Sequence, residues 1–214
     1  MNLLAHRTEF DRARADTANL RVDLPPVDVN AVLAARYHLD EPLDFTRTML
    51  WDMETRKARQ PDRYLPGAVS PGSAAAWTPP ALEATGDDVF VRVSEQPDWS
   101  DPARSGPVIE QVGLDHDAMQ ALFIGTAEHP GPDGGTLRTL ADQPLFHVEH
   151  GAGGTEHRPL STMRWVFLTP SGHEGIEGRL RGVIDRSGLL PEFIEIYIRE
   201  VLGVGLRPRG GVGR

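Results

Sequence analysis

The chain has no cysteine. That excludes disulfides, thiol nucleophiles and cysteine-ligated zinc or iron–sulfur sites, and it leaves the redox compartment open. Lysine is almost missing: of 22 basic residues only Lys57 is a lysine. A Schiff-base lysine or a phosphate-binding P-loop lysine would therefore have to be Lys57, and no G-x-x-x-x-G-K-[ST] surrounds it. The serine-hydrolase pattern G-x-S-x-G is absent. The glycine-rich run GVGLRPRGG near the C-terminus follows a predicted helix instead of a strand, which rejects a dinucleotide fingerprint. No apolar run approaches the roughly 18 residues of a membrane span. The start, MNLLAHRTEF, lacks the long apolar core of a secretory leader. These features set the expectation of a soluble, cytoplasmic protein. Basic stripes are also missing. Net charge is −9, and residues 83–117 hold nine acids against Arg92 and Arg104. Nucleic acid is not expected as a partner.

What is present suits a folded α+β chain. The 214 residues have a mean hydropathy of −0.34. Residues 1–60 read as a helical segment. Residues 8–20 form a weak helix, 28–39 a better one with Asp28 as its N-cap, and 42–58 the strongest. In the last, Leu43, Thr46, Met49, Leu50 and Met53 make a stripe. Residues 61–82 carry five prolines and read as a loop or linker. Residues 83–204 read as the α+β core. DVFVRV (88–93), PVIEQV (107–112), LFHVEH (145–150) and STMRWVFL (161–168) are strands. LDHDAMQALF (114–123) reads as a short helix capped by Asp115. Ser171 and Glu174 form a capping-box pattern ahead of Ile176, Leu180, Val183 and Ile184. A second C-terminal helix follows Pro191, with Phe193, Tyr197 and Val201 on an apolar face able to dock another subunit, of the same or a different chain. Residues 205–214 read as a frayed tail.

The densest chemistry lies in FHVEHGAGGTEH (146–157). In a strand, residues two apart share a face, so His147 and Glu149 project together while Phe146, Val148 and His150 project oppositely. A neutral imidazole beside a carboxylate is the H-x-(D/E) half of a two-histidine, one-carboxylate iron site. The same pair could instead act as a metal-independent acid–base pair, as in a cyclase or isomerase. A third reading is a non-catalytic binding or partner protein.

The segment PLFHVEHGAGGTEHRPLSTMRWVFLTPSG resembles the metal-binding segment of the clavaminate synthase-like, taurine dioxygenase-related Fe(II)/2-oxoglutarate oxygenases. The match runs through Leu145, Phe146, His147 and Glu149, then His157, Arg158 and Pro159, then Met163 to Leu168, and spans about residues 85–190. The resemblance implies a partial double-stranded β-helix between a helical N-terminal segment and two C-terminal helices. It implies Fe(II) on His147 and Glu149, with 2-oxoglutarate as co-substrate. The activity implied is hydroxylation of a small, amino-acid-derived molecule in specialised biosynthesis. The family's distal histidine and its following arginine are not found at their usual distance. His173 would have to complete the metal site, with Arg179 or Arg181 pairing the 2-oxoglutarate carboxylate; otherwise the chain is a truncated or degenerate relative.

Overall fold

A computed structural model describes residues 1–83, 85–99, 101–141, 143–168, 175–184 and 188–209. In chain order the elements are α1 (Leu3–Ala15), β1 (Leu20–Asp23), β2 (Val27–Asp28), α2 (Val29–Arg36), β3 (Tyr37–Leu39), α3 (Arg47–Arg59), α4 (Pro61–Tyr64), β4 (Ala75–Trp77) and α5 (Pro80–Glu83). There follow β5 (Asp88–Pro97), β6 (Ser105–Asp115), β7 (Gln120–Thr126), β8 (Glu128–Pro130), β9 (Thr136–Arg138), β10 (Phe146–Thr155), β11 (Arg158–Phe167), α6 (Ile176–Ile184), α7 (Glu192–Glu200) and β12 (Leu206–Pro208).

One antiparallel sheet runs in the order β1-β11-β10-β7-β6-β5-β4, with β2 also paired to β11. This corrects the partial double-stranded β-helix expected above, although the chain remains α+β. In a double-stranded helix, successive strands divide between two facing sheets. Here β4 to β7 form a meander of adjacent hairpins, and the β10–β11 hairpin extends the same sheet. The oxygenase resemblance therefore fails at the level of architecture.

The helices begin where side chains satisfy their first free N–H groups. Asn2, Asp28 and Thr46 each accept from a backbone N–H three residues on, at 2.9, 3.1 and 3.1 Å. The helix expected over 42–58 consequently starts at Arg47, and Pro42 precedes it. Residues 114–123 are not a helix. They form the β6–β7 turn, with Met119 at φ 53° and Leu114 paired with Ala121. The glycine-rich stretch after His150 is strand, not loop. It closes in a tight turn at Glu156 and His157; just before it Gly154, paired with Pro159, takes φ +76°, and a Cβ there would collide with the carbonyl of Arg158.

The sheet buries both faces. On one, α1 covers a small core of Phe10, Ala13, Leu122, Ile124 and Val166. On the other, α3 and α7 cover the main core, which includes Leu50, Met53, Phe123, Phe146, Val148, Met163 and Phe193. Neighbouring residues of β7, β10 and β11 alternate between these two cores, as strand geometry requires. The capping pair Ser171 and Glu174 lies outside the described residues, as does His173. Among the described residues, no helix is long and apolar enough to cross a membrane.

Candidate functional site

The strand β10 carries the two candidate regions on its opposite faces. Its His147 and Glu149 lie on the α1 side. His147 accepts from the Gly125 N–H through Nδ1 at 3.2 Å, and its Nε2 faces Glu9 at 3.4 Å. Burial lowers the His147 pKa, so the ring is neutral at pH 7 and donates from Nε2. Glu149 is 3% exposed, and both its oxygens are taken by arginine. Arg7 of α1 holds Oε2, and Arg164 of β11 holds Oε1.

This arrangement corrects the iron reading. A ligating carboxylate must turn a lone pair to the cation, and here two guanidinium groups occupy those directions. Among the described residues there is no group of three or more histidine, cysteine, aspartate or glutamate side chains able to hold a metal ion. The residues do not fit Fe(II), and the 2-oxoglutarate chemistry that depends on it falls with that. Of the two arginines assigned to the co-substrate, Arg179 donates to the carbonyl of Trp99, and Arg181 pairs with Glu177 one helical turn away at 2.8 Å.

The opposite face of β10 holds the group that sequence reasoning passed over. His150 meets Glu54 and Lys57 of α3. Lys57 Nζ lies 2.6 Å from Glu54 Oε2 and 2.6 Å from His150 Nδ1, and His150 Nδ1 lies 3.3 Å from the same carboxylate oxygen. Glu54 is 0% exposed and Lys57 1%. Two charges at such depth persist only when paired. The phenyl face of Phe193 supplies a further partner, 3.8 Å from Nζ at its centroid. Burial drives the Lys57 pKa down to about 8, against the pull of Glu54. Burial pushes Glu54 up, but Lys57 and His150 prevail and hold it at about 2. Burial, aided by Lys57, also lowers His150. The imidazole is therefore neutral. Its Nδ1 accepts from the ammonium, which leaves the proton on Nε2. Among the described residues that Nε2 has no hydrogen-bond partner.

Lys57 and His150 border a cavity of about 100 Å³ between the sheet and α3, α6 and α7. Its walls are mainly apolar and aromatic: Phe123, Phe146, Trp99, Trp165, Met163 and Phe193. Trp99 stands edge-on to Phe146, Trp165 and Phe167 at 5.7–6.3 Å between ring centroids. The indole N–H groups of Trp99 and Trp165 are buried and, among the described residues, without a partner. A second ion pair, Arg92–Glu110, also borders the space. Ala68, Gln96 and Trp99 are shared with an outer space of about 260 Å³ that reaches Pro102, Arg179 and Gly182.

A signal for this site was present in the sequence. Leu50, Met53, Glu54 and Lys57 follow the i, i+3, i+4, i+7 spacing of one buried helix face, so two charges stood inside an apolar stripe. One of them was the chain's single lysine.

No protein-family model matches the chain, and no curated protein matches it significantly. Among solved structures it is similar to the Zhui aromatase/cyclase from Streptomyces sp. R1128. The TM-score is 0.49 at 11% identity, over 85% of this chain and 95% of that one. It is also similar to Ara h 8.0201, with a TM-score of 0.45 at 7% identity, over 86% of this chain and 99% of that one. At these values the functional reading rests on the geometry of the site itself.

Proposed function

We propose that this chain binds a small, mainly apolar, ring-bearing molecule in the cavity between the sheet and α3, α6 and α7, and acts on it by metal-independent proton transfer. One observation carries this reading: Lys57 and His150, held together with the buried Glu54 behind them, form part of the wall of an otherwise mainly apolar and aromatic cavity. Ligand sites are typically apolar pockets with a few convergent polar groups of shifted pKa. An apolar cavity of about 150 Å³ holds benzene. The inner space here is of that order, and the outer space leaves room for a substituent.

The polar groups define what the molecule carries. Lys57 is mostly an ammonium at pH 7, His150 offers Nε2–H, and Trp99 and Trp165 offer two indole N–H groups. All are donors. They suit acceptor oxygens, and a carbonyl oxygen placed against Lys57 and His150 would be polarised in a medium of low dielectric. Polarisation by the His150 and indole N–H groups acidifies the neighbouring C–H, and the neutral fraction of Lys57 takes that proton, the step shared by isomerisations and ring closures of carbonyl compounds. Here, Glu54 keeps the ammonium in place and offsets its charge.

The test uses an aryl methyl ketone, acetophenone, as probe. Its binding quenches the emission of the cavity tryptophans, and NMR in D₂O follows exchange of its methyl protons. Saturable quenching, with exchange faster than buffer and lost in His150→Phe, is the expected result. Absence of both overturns the reading. Quenching without exchange would restrict the chain to binding alone.

A further inference from the structure

We infer that Lys57 is an imine-forming amine, whose nitrogen condenses with the carbonyl carbon of a small aldehyde or ketone held in the cavity. The inference rests on the reading of the cavity as a small-molecule site and gives that site a covalent step.

Residue choice is the first argument. Every other basic side chain among the 22 lysines and arginines is arginine. Among the described residues, every other lysine or arginine pair with a carboxylate, at the surface or in the core, uses a guanidinium, as in Arg7 and Arg164 on Glu149, Arg92 on Glu110 and Arg199 on Glu195. A guanidinium holds its proton under all ordinary conditions and is no nucleophile, whereas an ammonium can lose its proton. The one side-chain amine of the chain is the one on the cavity wall.

Placement is the second argument. Nζ stands 2.6 Å from a carboxylate oxygen and 2.6 Å from an imidazole nitrogen, so groups that can take and return protons touch the nitrogen itself. The ring of Phe193 lies 3.8 Å from Nζ at its centroid, and both residues border the cavity. A nucleophilic lysine is activated by desolvation or by another cation nearby. Lys57 has both, with Arg92 bordering the same space. With its pKa at about 8, about a tenth of Lys57 is neutral at pH 7, roughly two hundred times the neutral fraction of an exposed lysine.

The step balances without an oxidant or reductant. The amine lone pair forms the C–N bond, and the carbonyl π pair moves to oxygen, which takes one proton. The C–O bond then breaks as the nitrogen lone pair forms C=N. The oxygen leaves as water with the two protons that the neutral amine carried. His150 and Glu54 hold protons in transit.

With only one lysine, the test is clean. The folded protein is treated with benzaldehyde and sodium cyanoborohydride, whose hydride reduces the imine carbon and leaves a benzyl group on nitrogen. Peptide mass mapping then separates Lys57 from the N-terminal amine. We expect one benzyl group on Lys57 at pH 7, where a proton on the imine nitrogen lets the hydride add, at a rate that saturates with benzaldehyde. Benzyl alcohol, which fits the same space and has no carbonyl, should slow it about tenfold at ten times its dissociation constant. N-terminal labelling should be linear in benzaldehyde and unaffected by the alcohol. Labelling confined to the N-terminus, or labelling of Lys57 that benzyl alcohol leaves unchanged, overturns the inference. If benzyl alcohol quenches the tryptophans while Lys57 stays unlabelled, the imine fails and the pocket stands. If neither probe binds, the pocket reading has failed first.

Discussion

Arg92 of β5 stands directly across from Glu110 of β6, with Nε 2.6 Å from Oε2, and its guanidinium lies 4.3 Å above the ring of Phe123. Both side chains are buried. Removing one member leaves a bare charge beside the cavity. Glu110→Ala should cost about 3–5 kcal/mol, measured by urea unfolding. The double replacement Arg92→Met with Glu110→Leu should cost far less, because no unpaired charge remains.

Acid should destabilise the fold in two stages. His6, His147 and His150 all have pKa values lowered by burial. Below the unfolded value of about 6.5 the unfolded chain takes up protons that the folded chain refuses, so stability starts to fall there. Glu54 adds the second stage. Its folded pKa of about 2 lies below the 4.5 of a free glutamate. Its contribution is therefore present above about 4.5 and lost as pH falls toward 2, and is on the order of 3 kcal/mol. Urea midpoints from pH 8 to pH 3 check this. In Glu54→Gln the second stage should shrink, and the protein should be weaker at pH 7 because Lys57 has lost its carboxylate.

Glu149 and His150 are chain neighbours with separate jobs. Glu149→Ala frees Arg7 and Arg164, both partly exposed, and should cost about 1–3 kcal/mol. Its effect belongs to the α1 side, so limited proteolysis should cut near α1 sooner. Benzyl alcohol binding should stay within about twofold. His150→Phe should do the reverse, preserving α1 protection and abolishing proton exchange of bound acetophenone. Equal loss of cavity function in both variants would contradict the two-faced reading of β10.

Arg179 ties α6 to the Trp99 carbonyl at the outer end of the cavity. Arg179→Ala removes one hydrogen bond of about 1 kcal/mol. Stopped-flow quenching should show acetophenone entering about fivefold faster, with little change in the unfolding midpoint. An unchanged rate would place the entry elsewhere.

Strands whose two faces meet different surroundings were the easiest part of the fold to read. His147 and Glu149 separate from His150 by alternation alone, and the structure keeps that separation. The β6–β7 turn was misread because Asp115 imitates an N-cap and Met119, Leu122 and Phe123 have helical spacing. Both faces of β7 are buried, so no polar alternation marked it as a strand. The double-stranded helix came from a short H-x-E match, which says nothing about which strands pair. The site escaped for a different reason. Glu54 and Lys57 count as surface residues by type, and their partner His150 lies 93 residues from Lys57. Only the packing of α3 on β10 brings them together.

That packing depends on the register of β10, which pairs His147 with Val166 and Ile124, and His150 with Met163 and Ala121. A slip of one residue would exchange the faces. It would turn a carboxylate toward the apolar cavity and an unpaired histidine toward α1, leaving Lys57 and Glu54 without their imidazole. The next residues, Gly151, Ala152, Gly153 and Gly154, have almost no side chains with which to hold the alignment. The tight turn at Glu156 and His157 and the flanking Phe146 and Val148 must do so. In this hairpin, alignment of two strands selects which chemistry the cavity contains.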